Sequence, residues 1–216
     1  MRLCIVPMKP LAHAKFRLSP VLSPEERRAL SLAMLTDVVT AGHALDAVWA
    51  ITTDDDASEG AAAAGADPRR DPTPGDGLNV SLSHITRDAV SEGATGVLVV
   101  SADCGAATRD DVAALAPGAG IALAPNLDGT GTNALWRSPA DVCGTHYGPG
   151  SRQAHEAVAH GLGVPFAVIP RMRIARDVDT PADLDALWDL GPGPATRTAM
   201  EALGYPSRRA TDTRRR

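Results

Sequence analysis

Two lysines stand within seven residues of one another near the N-terminus, Lys9 and Lys15, with Arg17 just beyond; the remaining nineteen of the 21 basic residues are arginines. A lysine offers phosphate a compact ammonium on a flexible stem, where arginine offers a planar fork. The lysines follow a short apolar run, residues 3–6, which reads as a buried strand. Pro7 ends that strand, and Pro10 keeps the next residues out of regular structure. In α/β chains the loops after strands are where ligands bind. The plainer alternative is two solvated lysines on a proline-stiffened loop.

Carboxylates recur in the same kind of place. Asp103 follows the clearest buried strand of the chain, residues 96–101, where α/β enzymes place metal ligands. Asp179 stands just ahead of a helix opened by Thr180, Pro181 and Asp183. The run Asp54, Asp55, Asp56 reads better as a strand end and helix cap than as a metal site. Gly77-Leu78-Asn79 opens a helix reaching about residue 92. Gly77 permits close backbone approach, and Asn79 either reads a base edge or simply caps. Residues 126–133, N-L-D-G-T-G-T-N, form an anion-binding loop or a plain glycine-rich turn. Ser151, after Tyr147-Gly148-Pro149-Gly150, reads as the N-cap of a helix to about residue 161 and as a phosphate or carboxylate site.

The elements that must hold these residues alternate strand and helix, which predicts a largely parallel sheet with helices on both faces. At 216 residues one domain suffices. A net charge of −5 argues against general nucleic-acid or anionic-membrane binding, and no apolar run is long enough for a membrane span. No signal-peptide pattern is present, and three irregularly spaced cysteines suit free thiols in the cytoplasm. Six scattered histidines offer no zinc spacing. Residues 66–76 read as a mobile loop. The domain is expected to end near residue 190, with 191–216 a flexible Gly/Pro/Arg-rich tail. There is neither a Walker loop nor a dinucleotide fingerprint. Basic groups plus two separated carboxylates suit a nucleoside triphosphate with Mg²⁺.

Taken in order, I-V-P-M-K-P-L-A-H-A-K-F-R-L-S (5–19), G-L-N (77–79), S-A-D (101–103), G-T-G-T-N-A-L (129–135), Y-G-P-G-S (147–151) and D-V-D-T-P-A-D-L (177–184) resemble the guanylyltransferases of coenzyme F420 biosynthesis. That family joins GMP to 2-phospho-L-lactate or phosphoenolpyruvate. The resemblance implies a single Rossmann-like α/β domain of the nucleotide-diphospho-sugar-transferase type that binds GTP with Mg²⁺, and it is consistent with a homodimer. By the same resemblance Lys15 and Arg17 contact the triphosphate, with Pro7 and Lys9 beside it. Gly77 and Asn79 lie at the guanine, and Asp103 and Asp179 hold magnesium. Thr132, Gly148 and Ser151 bind the phosphorylated acid.

One stretch departs from the family pattern. Where the family reads P-A-D-L-P-L, this chain reads Ser101-Ala102-Asp103-Cys104-Gly105-Ala106. Smaller, more flexible residues beside the metal carboxylate predict a roomier acid pocket, one admitting 3-phosphoglycerate or a phosphonate. Two other readings remain: a different nucleotidyltransferase of this fold, against which the missing L-x-G-G-x-x-x-R-M opening argues, and a non-catalytic nucleotide-binding regulator. The latter would require loss of a metal Asp or a triphosphate lysine, and both are present.

Overall fold

In the computed structural model, which describes residues 1–11 and 14–208, the first apolar run forms β1 (Arg2–Pro7). Its side chains alternate between the faces of the sheet. Leu3 and Ile5 pack with Leu82, Ile85 and Ala89, while Cys4 and Val6 pack with Leu35, Val38 and Val39. A strand covered on both faces carries no polar alternation, which is why residues 3–6 are uniformly apolar. The covers are α3 (Leu78–Ser91) on one face and α1 (Pro24–Gly42) on the other. The start of α1 is a reciprocal cap: the Ser23 hydroxyl accepts the Glu26 N–H, and the Glu26 carboxylate accepts the Ser23 N–H.

The other strands are β2 (Ala47–Thr52), β3 (Asp67–Arg70), β4 (Gly96–Val100), β5 (Gly120–Ala124), β6 (Ala134–Ser138) and β7 (Phe166–Val168). They form one seven-stranded sheet in the order β3-β2-β1-β4-β6-β5-β7. Every neighbouring pair is parallel except those made by β6, which runs antiparallel to both β4 and β5. The remaining helices are α2 (Asp55–Ala63), α4 (Arg109–Ala114), α5 (Ser151–Leu162), α6 (Met172–Ala175), α7 (Pro181–Leu190) and α8 (Pro194–Ala202).

The reversal of β6 matters for function. Its first residue, Ala134, pairs with Val100 at the end of β4 and with Ala124 at the end of β5. The β5–β6 loop therefore emerges at the same sheet edge as the segments after β1, β2 and β4. The chain after β7 joins them, since the Ile169 N–H donates to the Leu123 carbonyl at 2.8 Å. One edge collects every loop that the sequence marks as chemical.

Two expectations are corrected. Residues 67–70, inside the stretch read as a mobile loop, form edge strand β3, paired with β2 from Trp49–Asp67 to Thr52–Arg70. The stretch after residue 190 carries α8, whose Thr196 and Met200 are fully buried. Asp37 of α1 accepts the N–H groups of Ala195 (3.1 Å) and Thr196 (2.7 Å), which caps α8 and ties it to α1. Residues 209–216 of that tail lie outside the described residues. Among the described residues no helix is long and apolar enough to cross a membrane.

Candidate active site

The loop after β1 is pinned at two apolar points. Leu11 is buried and its N–H donates to the Asp54 carboxylate at 3.0 Å; the same carboxylate caps α2 through Ala57, as the capping reading of Asp54 expects. Leu18 is fully buried at the end of a 3-10 turn, Phe16–Leu18. Lys15 lies between these anchors at φ 54°, the only positive φ of a non-glycine residue among the described residues. That left-handed conformation costs roughly 1–2 kcal/mol, and it turns the side chain inward. Its Nζ donates to Asp103 Oδ2 at 2.5 Å and to Asp179 Oδ1 at 3.1 Å.

Electrostatics explain why the three belong together. Burial opposes the charge on Lys15, yet the Asp103 and Asp179 carboxylates outweigh it and hold the ammonium above its ordinary range. Burial likewise opposes the charge on Asp103, and Lys15 overcomes it, leaving that carboxyl below its ordinary value. Asp177 is the opposite case: burial first, then the negative charges of Asp103 and Asp179, push its carboxyl up. Asp103 Oδ1 is buried without a hydrogen-bond partner. An orphaned hard oxygen, facing carboxylates and a cation already drawn between them suit a hard divalent cation. No group of three acidic, His or Cys side chains among the described residues is arranged to hold a metal. A magnesium ion here would take two protein carboxylates and complete its shell from phosphate and water, its usual habit.

The other half of the site is built from hydroxyls and amides, with the Arg152 guanidinium bonded to the Gly129 carbonyl beside it at 3.2 Å. Thr132, in the β5–β6 loop, and Ser151, at the start of α5, meet through a hydroxyl–hydroxyl bond of 3.1 Å. The two loops also join through the Arg152 N–H and the Thr130 carbonyl at 3.1 Å. Gly150, left-handed at φ 70°, takes the N-cap position. Ser151 is thus the first helical residue and not the cap, which frees its hydroxyl for Thr132. Gly148 sits at φ 137°, with no atom near where a Cβ would point. Asn133 connects the halves: its amide donates to the Ile174 carbonyl at 2.9 Å and to Asp177 at 3.2 Å.

Asn79 neither caps nor stands free. Gly77, at φ 94°, is the N-cap of α3. The Asn79 amide donates to the Tyr147 carbonyl at 2.9 Å and accepts the Tyr147 N–H at 2.7 Å. One N–H and one lone pair remain for a ligand. Lys9 and Arg17 are exposed, and neither pairs with a carboxylate among the described residues. Pro7 closes β1 opposite Ile51.

Two contributors are absent from the candidates named in the sequence. Asp177 lies two residues before Asp179 and is drawn in by Asn133. His155, one helical turn after Ser151, is fully buried behind Thr132. Its i+4 spacing from Ser151 was the available signal. The departure at Cys104-Gly105 opens no acid pocket. Cys104 is buried, its thiol is pushed up by burial, and its Sγ donates to the Ile174 carbonyl. A Cβ on Gly105 would lie 2.7 Å from Met34 Cγ and 3.1 Å from Thr196 Oγ1. The lost bulk is replaced by α1 and α8.

Comparison with known proteins identifies the family and the fold. A phosphoenolpyruvate guanylyltransferase of Sphaerobacter thermophilus is 39% identical over 191 residues, covering 86% of this chain and 91% of that protein. One of Rubrobacter xylanophilus is 38% identical, covering 85% and 91%. A solved structure from Desulfovibrio desulfuricans G20, described as a nucleotide-diphospho-sugar transferase, shares the fold at TM-score 0.75 and 18% identity, covering 94% of this chain and 96% of that one. The family model for CofC-like guanylyl transferases matches residues 1–216. With the motifs in order along the chain and gathered at one sheet edge, this protein belongs to the CofC-like guanylyl transferase family.

Proposed function

We propose that this site transfers GMP from GTP to the phosphate of a small phosphorylated acid, phosphoenolpyruvate first among them, and releases pyrophosphate. The carrying observation is the Lys15 ammonium shared by Asp103 and Asp179, joined through Asn133 to the uncharged Thr132–Ser151 pair. Cation and carboxylates suit a triphosphate; neutral hydroxyls suit an acid already fully ionised. The names of the relatives support guanine and phosphoenolpyruvate.

In this reading an oxygen of the acceptor phosphate attacks the α-phosphorus of GTP in line. The bond from that phosphorus to the bridging oxygen breaks, and pyrophosphate leaves with the electron pair. The attacking oxygen carries no proton, so no general base is required; positioning and charge neutralisation supply the acceleration. Lys15 and Arg17, with Lys9 and Pro7 beside them, bind the triphosphate, and Gly77 and Asn79 border the guanine. Asp103 and Asp179 would hold Mg²⁺, and a bound Mg²⁺ would supply charge neutralisation to the phosphates.

Pyrophosphate release with GTP and Mg²⁺, measured in parallel with phosphoenolpyruvate, 2-phospho-L-lactate and 3-phosphoglycerate, tests the assignment. Release with phosphoenolpyruvate is expected. Release with one of the other two alone would move the acceptor. Failure with all three would overturn the reading.

A further inference from the structure

Hydrogen-bond direction at the hydroxyl half can be followed atom by atom, because it begins at a backbone amide that can only donate. The His146 N–H lies 2.9 Å from His155 Nε2, so Nε2 presents its lone pair. The ring is fully buried. Burial, then the neighbouring His146 and Arg137, hold it neutral, with a pKa down to about 4. A neutral imidazole with Nε2 bare carries its proton on Nδ1. The groups packed on the ring are the His146 and Tyr147 rings, both edge-on at 5.7 Å, with Arg137 of β6 beyond; none is a carboxylate that would draw a second proton onto it.

Nδ1 lies 3.3 Å from Thr132 Oγ1. Since Nδ1 bears the hydrogen, Thr132 must accept there and cannot donate. The Ser151 hydroxyl also donates to Thr132 Oγ1. With both lone pairs of Thr132 engaged, its own proton points to neither neighbour. Building on the acceptor assignment above, we propose that His155 is a positioning residue: it locks the Thr132 hydroxyl as an outward donor to an anionic oxygen of the acceptor acid. His155 and Asn79 further consume two successive amides of the loop, His146 and Tyr147, which fixes Gly148 beside that donor. The pocket then selects for a carboxylate or phosphate oxygen at this point and against any group that must itself donate.

Two substitutions separate the roles of the two nitrogens. His155→Asn keeps an N–H at the Nδ1 position and loses the reach to His146. His155→Gln keeps an acceptor at the Nε2 position and loses the donor to Thr132. We expect His155→Gln, which lacks the donor to Thr132, to raise the acceptor KM about tenfold with the GTP KM unchanged, and His155→Asn, which keeps that donor and loses the tie to His146, to raise it by clearly less. Equal effects of both, or parallel rises in both KM values, would reduce His155 to a packing residue and overturn the proposal. The ¹⁵N spectrum of histidine-labelled wild-type protein provides a readout independent of turnover. Protonated Nδ1 and bare Nε2 at neutral pH are expected. The opposite tautomer would overturn the proposal even if the enzyme works, whereas the expected tautomer in a protein that accepts none of the three acids would fault the acceptor assignment alone.

Discussion

The two halves of the site differ in chemistry, though on the proposed assignment both hold anions. Around Lys15, Asp103 and Asp179 the side chains are charged, partly buried and mutually dependent. Around Thr132, Ser151 and His155 they are neutral, buried and wired through hydroxyls and amides. A reacting triphosphate redistributes charge, and fixed charges are the strongest means of stabilising that change. A bound acid merely has to be recognised, and neutral donors do so without a large desolvation cost. The halves should therefore fail differently when broken.

The largest effect is expected in the charged half. Asp103→Asn removes the charge paired with Lys15 and, on the proposed assignment, a ligand of the metal, and kcat should fall on the order of a thousandfold, with the acceptor KM little changed. Pyrophosphate release under saturating GTP measures this; a loss under tenfold would show that the buried carboxylate is structural.

Lys15→Met leaves Asp103 and Asp179 facing each other without a cation, and turnover should drop about a hundredfold. Its pH signature sharpens the contrast. Asp103, held below its ordinary value of about 3.9, contributes stability that is present above that pH and lost as pH falls through the folded value. Lys15, held above its ordinary value, contributes stability present below about pH 10 and lost as pH rises through the folded value. His155 reports elsewhere. Its pKa lies near 4 when folded against 6.5 for the free ring, so the unfolded chain takes up a proton first. Stability then falls on the order of 3 kcal/mol as pH drops from about 6.5 to about 4. Urea midpoints across about pH 2–11 should show Lys15→Met altering the windows below about pH 4 and above about pH 10, and His155→Leu flattening the one between about pH 4 and 6.5; a single shared window would erase the distinction.

A smaller effect tests where the halves touch the nucleotide side. Asn79→Asp can still accept the Tyr147 N–H but sets a carboxylate against the Tyr147 carbonyl. If the clasp governs the acceptor loop, the acceptor KM should rise about tenfold, at least as much as the KM for GTP. A change confined to GTP would mean that Asn79 serves the base alone.

Much of this frame was legible in the sequence because it rests on local signals. Residues 3–6 and 96–100 are apolar because both faces are covered, and Thr180 announces its helix by cap chemistry. Strand β3 was not legible: D-P-R-R is an exposed edge whose Arg69 lies over the Trp49 ring at 4.0 Å and pairs with Glu92, contacts distant in sequence. Helix α8 was masked by the Gly-Pro-rich residues ahead of it, although Pro194 is itself a helix-start signal and Met200 seals against the core. In the site, Lys15, Asp103 and Asp179 were visible as residues after strands. Beyond the i+4 spacing of His155 from Ser151, its burial and the pairing of Asp177 with Asn133 depend on tertiary neighbours.

The smallest functional effect is expected where the chain departs from its family. The Gly105 carbonyl accepts the Gly193 N–H at 2.8 Å, and Gly193 lies against the Asp37 carboxylate that caps α8. The Asp103 loop is thereby buttressed by the C-terminal helix, and its small residues are there to admit Met34 and Thr196. Restoring bulk should overpack this contact. Cys104→Leu with Gly105→Pro is expected to cost about 1–3 kcal/mol in urea unfolding, while the ratio of rates with phosphoenolpyruvate and 3-phosphoglycerate stays the same. Were that ratio to move more than about threefold, with stability intact, residues 104–105 would have to reach the acceptor after all. The proposed division between a charged half for the transfer and a neutral half for the acid would then have to be redrawn at Cys104.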